Sequence, residues 1–150
     1  MKPQINRFFE RIINMIIDRE RVKNTFAEYT SGYNATDPKI KLKIDHTYRV
    51  AELCELIARD LKLDEYEIDV AWLTGMLHDV GRFEQIKRFD SFEPGTMEHA
   101  VYGAQLLFGP EKMIRRFVKD DRFDSLICTA IEKHSDFKLE GITDERTLLH

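Results

Sequence analysis

Cysteine is scarce in this chain: Cys54 and Cys128 are the two among 150 residues, and no CxxC pair exists. Isolated cysteines in apolar, helix-like stretches read as buried free thiols, which suits a reducing compartment and excludes a disulfide framework. Long apolar runs are missing as well. Near the N-terminus the longest uncharged stretch runs from Ile12 to Ile17, too short for a signal-peptide core or a membrane span. The expected location is therefore cytoplasmic, with no membrane partner. Strand patterning is almost absent, the short alternation KIKLKID (39–45) being its one clear instance. A cationic surplus is lacking too. Lysine and arginine number 23 against 27 acidic residues, for a net charge of -4, which excludes a general polynucleotide-coating surface but allows a local phosphate pocket. There is no internal repeat, low-complexity tract or linker.

What remains is ordinary globular material, 43% hydrophobic and 33% charged, expected to form one domain over 1–150 that buries roughly 68–70% of its unfolded surface. Helical periodicity recurs through most of it. A first helix is expected from about Pro3 to Tyr29, carrying Ile5, Phe8, Phe9, Ile12, Ile16, Val22 and Phe26, and ended by TSGYNATDP. A second is expected from His46 to Leu61, capped by Asp45 and burying Val50, Leu53, Ile57 and Leu61. A third spans Asp64 to Val80, with Gly81 as its C′ residue. The polar stretch from Arg82 to Thr96 reads as a long connection, and such loops are often functional. Further helices are expected at Met97–Phe108, Met113–Val118 and Asp124–Lys133, with one more beginning near the end of the chain. The fold class is all-α.

Four of the five histidines occupy comparable places. His46 aligns with Val50, Leu53 and Ile57; His78 with Ala71, Thr74 and Gly75; His99 with Tyr102, Gly103 and Leu106; His134 with Ile127, Ala130 and Ile131. Residues three and four apart share a helix face, so each imidazole is expected on the core side near a helix end. A single such histidine is ordinarily a boundary residue bonded to a carbonyl. Four of them beside the carboxylate of Asp79 describe a metal site, because neutral imidazoles and a carboxylate suit Mn, Fe, Co, Ni or Zn.

The stretches KIDHTYRVAELCELIA, AWLTGMLHDVGRF, EHAVYGAQLL and ICTAIEKHSD cover most of residues 39–136. They resemble the HD-domain superfamily of metal-dependent phosphohydrolases, a helical fold. The resemblance implies that His46, His78 and Asp79 ligate a first metal. It implies that Asp79 bridges to a second in binuclear members, with His99 and His134 holding that second ion. The GYP signature of the branch that hydrolyses cyclic dinucleotides is absent, so that substrate is not indicated. The family's later aspartate also has no clear match. Asp136 follows His134 too closely, and Asp144 reads as a helix cap, so this ligand is expected either to be lost or to lie beyond His150.

On this reading a metal-bound hydroxide attacks the phosphorus of a small phosphate ester, a nucleotide or related compound, while divalent ions offset the developing charge. Asp79 and Arg82 are the candidate catalytic residues. Arg82 offers a planar guanidinium to phosphate or, equally, a solvated cation at a helix C-terminus. Lys43 and Arg49 flank His46, while Lys87, Arg88 and Lys133 are charges of the solvated kind. Two other readings remain open: a catalytically silent nucleotide-binding or signalling module, and a di-iron oxygenase built on the same ligands.

Overall fold

A computed structural model describes residues 17–136 together with Arg7. Residues 17–136 hold seven helices and no strand: α1 (Arg19–Ser31), α2 (Pro38–Asp60), α3 (Glu65–Leu77), α4 (Val80–Phe89), α5 (His99–Phe108), α6 (Ile114–Phe117) and α7 (Asp124–Lys133). The all-α expectation holds. No described helix is long and apolar enough to cross a membrane.

The expected single helix over 3–29 does not hold. Ile17 and Asp18 are not helical, and the Asp18 side chain accepts from the Arg21 amide to start α1, which is the N-cap role that favours a break. Ile5, Phe8, Phe9, Ile12 and Ile16 lie outside the described residues. The second helix begins eight residues before the expected start, at Pro38 behind the cap Asp37, whose carboxylate accepts from the Lys39 amide. Asp45 is therefore not the cap, and KIKLKID is helical. The Asp-Pro pair is a strong start signal, since proline at the first helical position loses no hydrogen bond.

Lengthening α2 also reassigns its faces. Ile40, Thr47, Ala51 and Ala58 are buried, whereas Leu53, Ile57 and Leu61, expected in the core, are exposed. Small residues explain the choice. A Cβ added to Gly75 of α3 would lie 2.6 Å from the Ala51 Cα, so α2 and α3 approach through Ala51 and Gly75 more closely than leucine would allow. Cys54 and Cys128 are free but only half-buried.

α3 opens with a capping box in which Asp64 and Glu67 satisfy each other's backbone amides, and all of Val70–Leu77 is buried. Trp72 is core, as its spacing predicts. The helix stops at His78 but the chain does not enter a loop. It turns once at Asp79 and continues as α4, which buries Val80, Phe83, Gln85 and Ile86. The expected connection from Arg82 to Thr96 is thus half helix, and only 90–98 is irregular. Asp90 ends α4 in the left-handed region at φ 48°, a cap for which Gly is the usual residue.

Edge-on aromatic contacts of Phe26 and Tyr29 with Phe83 pack α1 against α4. Tyr29 donates its hydroxyl to the Val80 carbonyl at 2.8 Å, and Tyr33 donates to Glu84 at 3.0 Å. These bonds pin the backbone directly after Asp79. α5 packs on α4 and α7, α1 on α6 and α3, and α7 also on α3.

Before α7, Asp120 accepts from the Tyr66 hydroxyl and the Arg122 guanidinium, and Arg122 lies 5.0 Å over the Tyr66 ring. Burial works to raise the carboxyl's pKa. The bonds from Arg122 and Tyr66 outweigh it and hold the group at about 2, below its ordinary 3.8. A lowered carboxylate stabilises the fold above its unfolded pKa, and that gain disappears as pH falls through the folded value. Asp120→Asn is accordingly expected to cost about 1–2 kcal/mol at neutral pH. In pH-dependent denaturant melts the difference from wild type should shrink between about pH 3.8 and about 2. A constant difference across that window would contradict the assignment.

Candidate metal centre

The turn between α3 and α4 exists to present two side chains. His78 is the C-cap of α3 and Asp79 the N-cap of α4, yet Asp79 caps nothing with its carboxylate. That carboxylate is 4% exposed and faces inward among four imidazoles. Oδ2 lies 3.4 Å from His78 Nε2 and 3.5 Å from His46 Nε2; Oδ1 lies 3.2 Å from His134 Nε2 and 3.5 Å from His99 Nε2. α2 brings His46 from mid-helix, not from its start as expected; α5 brings His99 as its first residue; His134 caps α7. All five residues singled out in the sequence as metal ligands converge. They form two groups that can hold an ion, His46–His78–Asp79 and Asp79–His99–His134, sharing the one carboxylate.

The donor chemistry fits cations. His78 Nδ1 sits 2.6 Å from the Gly75 carbonyl and His134 Nδ1 2.6 Å from the Ile131 carbonyl. A carbonyl only accepts, so each ring donates from Nδ1 and turns its Nε2 toward Asp79. Carbonyl-oriented imidazoles of this kind are how proteins fix the tautomer of a metal ligand. The Nε2 atoms crowd about the carboxylate: His78 Nε2 is 3.3 Å from His46 Nε2, and His134 Nε2 is 3.2 Å from His99 Nε2. Imidazole nitrogens gathered on one carboxylate are a donor set suited to a divalent cation.

Electrostatics keep the groups in ligand form. Burial tends to raise the pKa of Asp79, but His134, His78 and His99 outweigh it and hold the carboxyl far below the usual range. His46 is lowered by burial and then by the Lys43 charge, against the pull of Asp79. His99 is lowered by burial, with Arg82 adding to the effect and Asp79 opposing it. Both imidazoles are thereby kept neutral near pH 7.

Two cations border the centre. Lys43 donates to Asp79 Oδ2 at 2.9 Å, its side chain 15% exposed. Arg82 Nε stands 3.8 Å from Asp79 Oδ1, too far to bond, and is buried with no hydrogen-bond partner. Gln85, fully buried, fixes the guanidinium by accepting from Arg82 Nη1 at 2.7 Å while donating to Thr96 Oγ1 at 2.8 Å. Both cations lie against one ring: Lys43 Nζ is 5.1 Å and Arg82 Cζ 5.7 Å from the centre of Phe92. A cavity of about 350 Å³ opens beside them, lined by Arg82, Gln85, Phe92, Met97, His99 and Asp136 among others. Gln85 and Phe92 were not singled out in the sequence. Gln85 would have emerged from extending the helix past Gly81, which places it three residues on from Arg82.

The other flagged charges stand elsewhere. Lys87 and Arg88 are exposed and turn to the Tyr33 ring and to Glu84, and Lys133 pairs with Asp136. Arg49 is exposed. Asp136 lines the cavity without joining either ligand group, and Asp144 and His150 lie outside the described residues.

Residues 44–149 match the HD domain family. A curated protein of Vibrio cholerae, described as 3'3'-cGAMP-specific phosphodiesterase 1, is 30% identical over 115 residues; the match covers 72% of this chain and 24% of that protein's length. No solved structure matches the chain significantly.

Proposed function

The chain belongs to the HD domain family, and from that premise we propose that it is a metal-dependent phosphohydrolase acting on a small phosphate ester, a nucleotide or related compound. The observation that carries the reading is the pair of ligand groups built on the two oxygens of Asp79. His46 and His78 would hold one divalent ion with Oδ2, and His99 and His134 a second with Oδ1. Ions so placed supply an acidified water and neutralise charge on phosphoryl oxygens. The imidazole-rich set favours a transition metal such as Mn, Fe, Co, Ni or Zn.

The chain's own residues do the rest. Asp79 stays ionised, and the Gly75 and Ile131 carbonyls keep the Nε2 atoms of His78 and His134 turned inward. Arg82 keeps a buried, unpaired Nε–H 3.8 Å from Asp79 Oδ1, and its guanidinium lines the adjoining cavity as a charge-assisted donor group for a substrate phosphate. Gln85 fixes the plane of that guanidinium, so little rotamer freedom is lost on binding. The relative's name identifies a cyclic dinucleotide as its substrate. That compound belongs in the test, although the GYP tripeptide is missing from this sequence.

Purified protein loaded with Mn, Fe, Co, Ni or Zn is expected to release phosphate or nucleoside from at least one member of a panel of nucleotides and simple phosphate esters, or to open 3'3'-cGAMP to a linear dinucleotide. Chelation should abolish the release and metal should restore it. The reading fails if loaded protein cleaves nothing in the panel and Asp79→Ala leaves its metal content unchanged. Tight nucleotide binding without turnover would point instead to a silent binding module.

A further inference from the structure

Lys43 makes a contact that the proposed chemistry leaves unexplained. Its ammonium donates to Asp79 Oδ2 at 2.9 Å, the same oxygen that faces His78 at 3.4 Å and His46 at 3.5 Å. A divalent ion held by His46, His78 and Oδ2 would draw on that oxygen too. Two cations on one oxygen repel strongly at such range, because a partly buried site screens poorly. The ammonium is therefore a rival of the ion.

The lysine has somewhere to go. Its stem arises from α2 three residues before His46, so both side chains leave the same stretch of helix toward the same site. Its Nζ already lies 5.1 Å from the Phe92 ring centre, and Arg82 lies over that ring as well. Arg82 is fixed by Gln85 and by the Phe92 carbonyl. The lysine is a point charge on a four-carbon tether, able to swing with little strain. Released from Oδ2, it would remain beside Phe92, the ring that Arg82 also lies against.

We propose that Lys43 is a built-in counter-ion of Asp79 that a divalent cation displaces, and that the displaced ammonium, with Arg82, forms a two-cation clamp for the substrate's phosphate. The assignment rests on the metal-centre reading above. It adds a distinct claim: ion binding and anion binding are coupled through one side chain, the ion freeing the group that then holds the anion.

The test compares wild type, Lys43→Met and Lys43→Arg. Calorimetry would measure Mn²⁺ affinity without substrate, then the affinity of Mn²⁺-loaded protein for inorganic phosphate. Lys43→Met is expected to bind Mn²⁺ tighter by on the order of tenfold and, once loaded, to bind phosphate weaker by on the order of tenfold. Lys43→Arg should stay near wild type in both. Because the methionine variant leaves Asp79 without its ammonium, Mn²⁺ should also raise its melting temperature more than it raises wild type's. That readout serves even if the metal-free variant is poorly folded. Unchanged or weaker Mn²⁺ binding, or unchanged phosphate binding, in Lys43→Met overturns the assignment while leaving the metal centre standing. Wild-type protein that takes up no Mn²⁺, Fe²⁺, Co²⁺, Ni²⁺ or Zn²⁺ overturns both.

Discussion

Asp79→Ala is expected to empty the centre of metal altogether, where loss of any one histidine would empty half of it. The difference follows from the ligand groups. His46 and His78 serve one, His99 and His134 the other, and Asp79 both. Elemental analysis after loading and desalting should therefore show two equivalents in wild type, about one in His46→Ala or His99→Ala, and none in Asp79→Ala. Phosphohydrolase activity should fall by more than the roughly 10–100-fold typical of losing an outer-shell partner, since a bridging ligand is lost. Stability should fall as well. Lys43 is 15% and Arg82 20% exposed, and both would stand beside a vacated carboxylate site; leaving one member of a buried pair without its partner commonly costs about 3–5 kcal/mol. Asp79→Asn separates the two effects, because it keeps the volume while removing the charge. Full metal occupancy in either variant would refute the shared-ligand arrangement.

The ligand set was legible in the sequence because it is local. His78, His99 and His134 each have apolar residues at helical offsets that place them on the core side, whereas His46 was placed by Leu53 and Ile57, which are exposed, so its spacing pointed to the right residue through the wrong stripe. Their convergence on Asp79 was expected from the resemblance to the HD-domain superfamily, not from periodicity. What could not be read was the register of the faces. α2 carries two apolar stripes, and spacing alone prefers the one with Leu53, Ile57 and Leu61. The stripe with Ala51 and Ala58 is buried instead, because it meets a glycine on α3 and the backbones can close. Small-residue contacts of this kind leave almost no mark on hydrophobic periodicity. The polar run after Gly81 misled for a related reason: Lys87, Arg88 and Phe89 are the exposed side of a helix that buries Val80, Gly81, Phe83, Gln85 and Ile86. Gln85 is polar yet fully buried, since its amide is engaged by Arg82 and Thr96, and a buried polar group of that sort looks like surface in a sequence.

Gly81 sharpens the point, because two readings of it predict opposite signs. Its position suggests a C-terminal stop for α3, but it is the second residue of α4, in ordinary helical backbone. A glycine there would normally be a weakness, and Gly81→Ala would stabilise by up to about 1 kcal/mol through helix propensity. The neighbourhood forbids it. A Cβ at this position would stand 2.0 Å from the His99 carbonyl oxygen, 2.9 Å from its carbon and 3.1 Å from the Gly103 nitrogen. All three atoms are backbone of α5, so no side-chain rotation relieves the clash and the two helices must separate. Gly81→Ala is expected to destabilise by about 3 kcal/mol or more, at or above the upper range for overpacking. It should also damage the site selectively. His99 opens α5 and Asp79 lies two residues before Gly81, so parting α4 from α5 draws His99 Nε2 away from Oδ1 while the His46–His78 side keeps its own contacts. Denaturant melts should show the lower midpoint, and titration of the folded fraction should show one metal bound normally and the other weakly. A Gly81→Ala protein as stable as wild type would mean that the close approach of α4 to α5, and with it the placement of His99, is not as described.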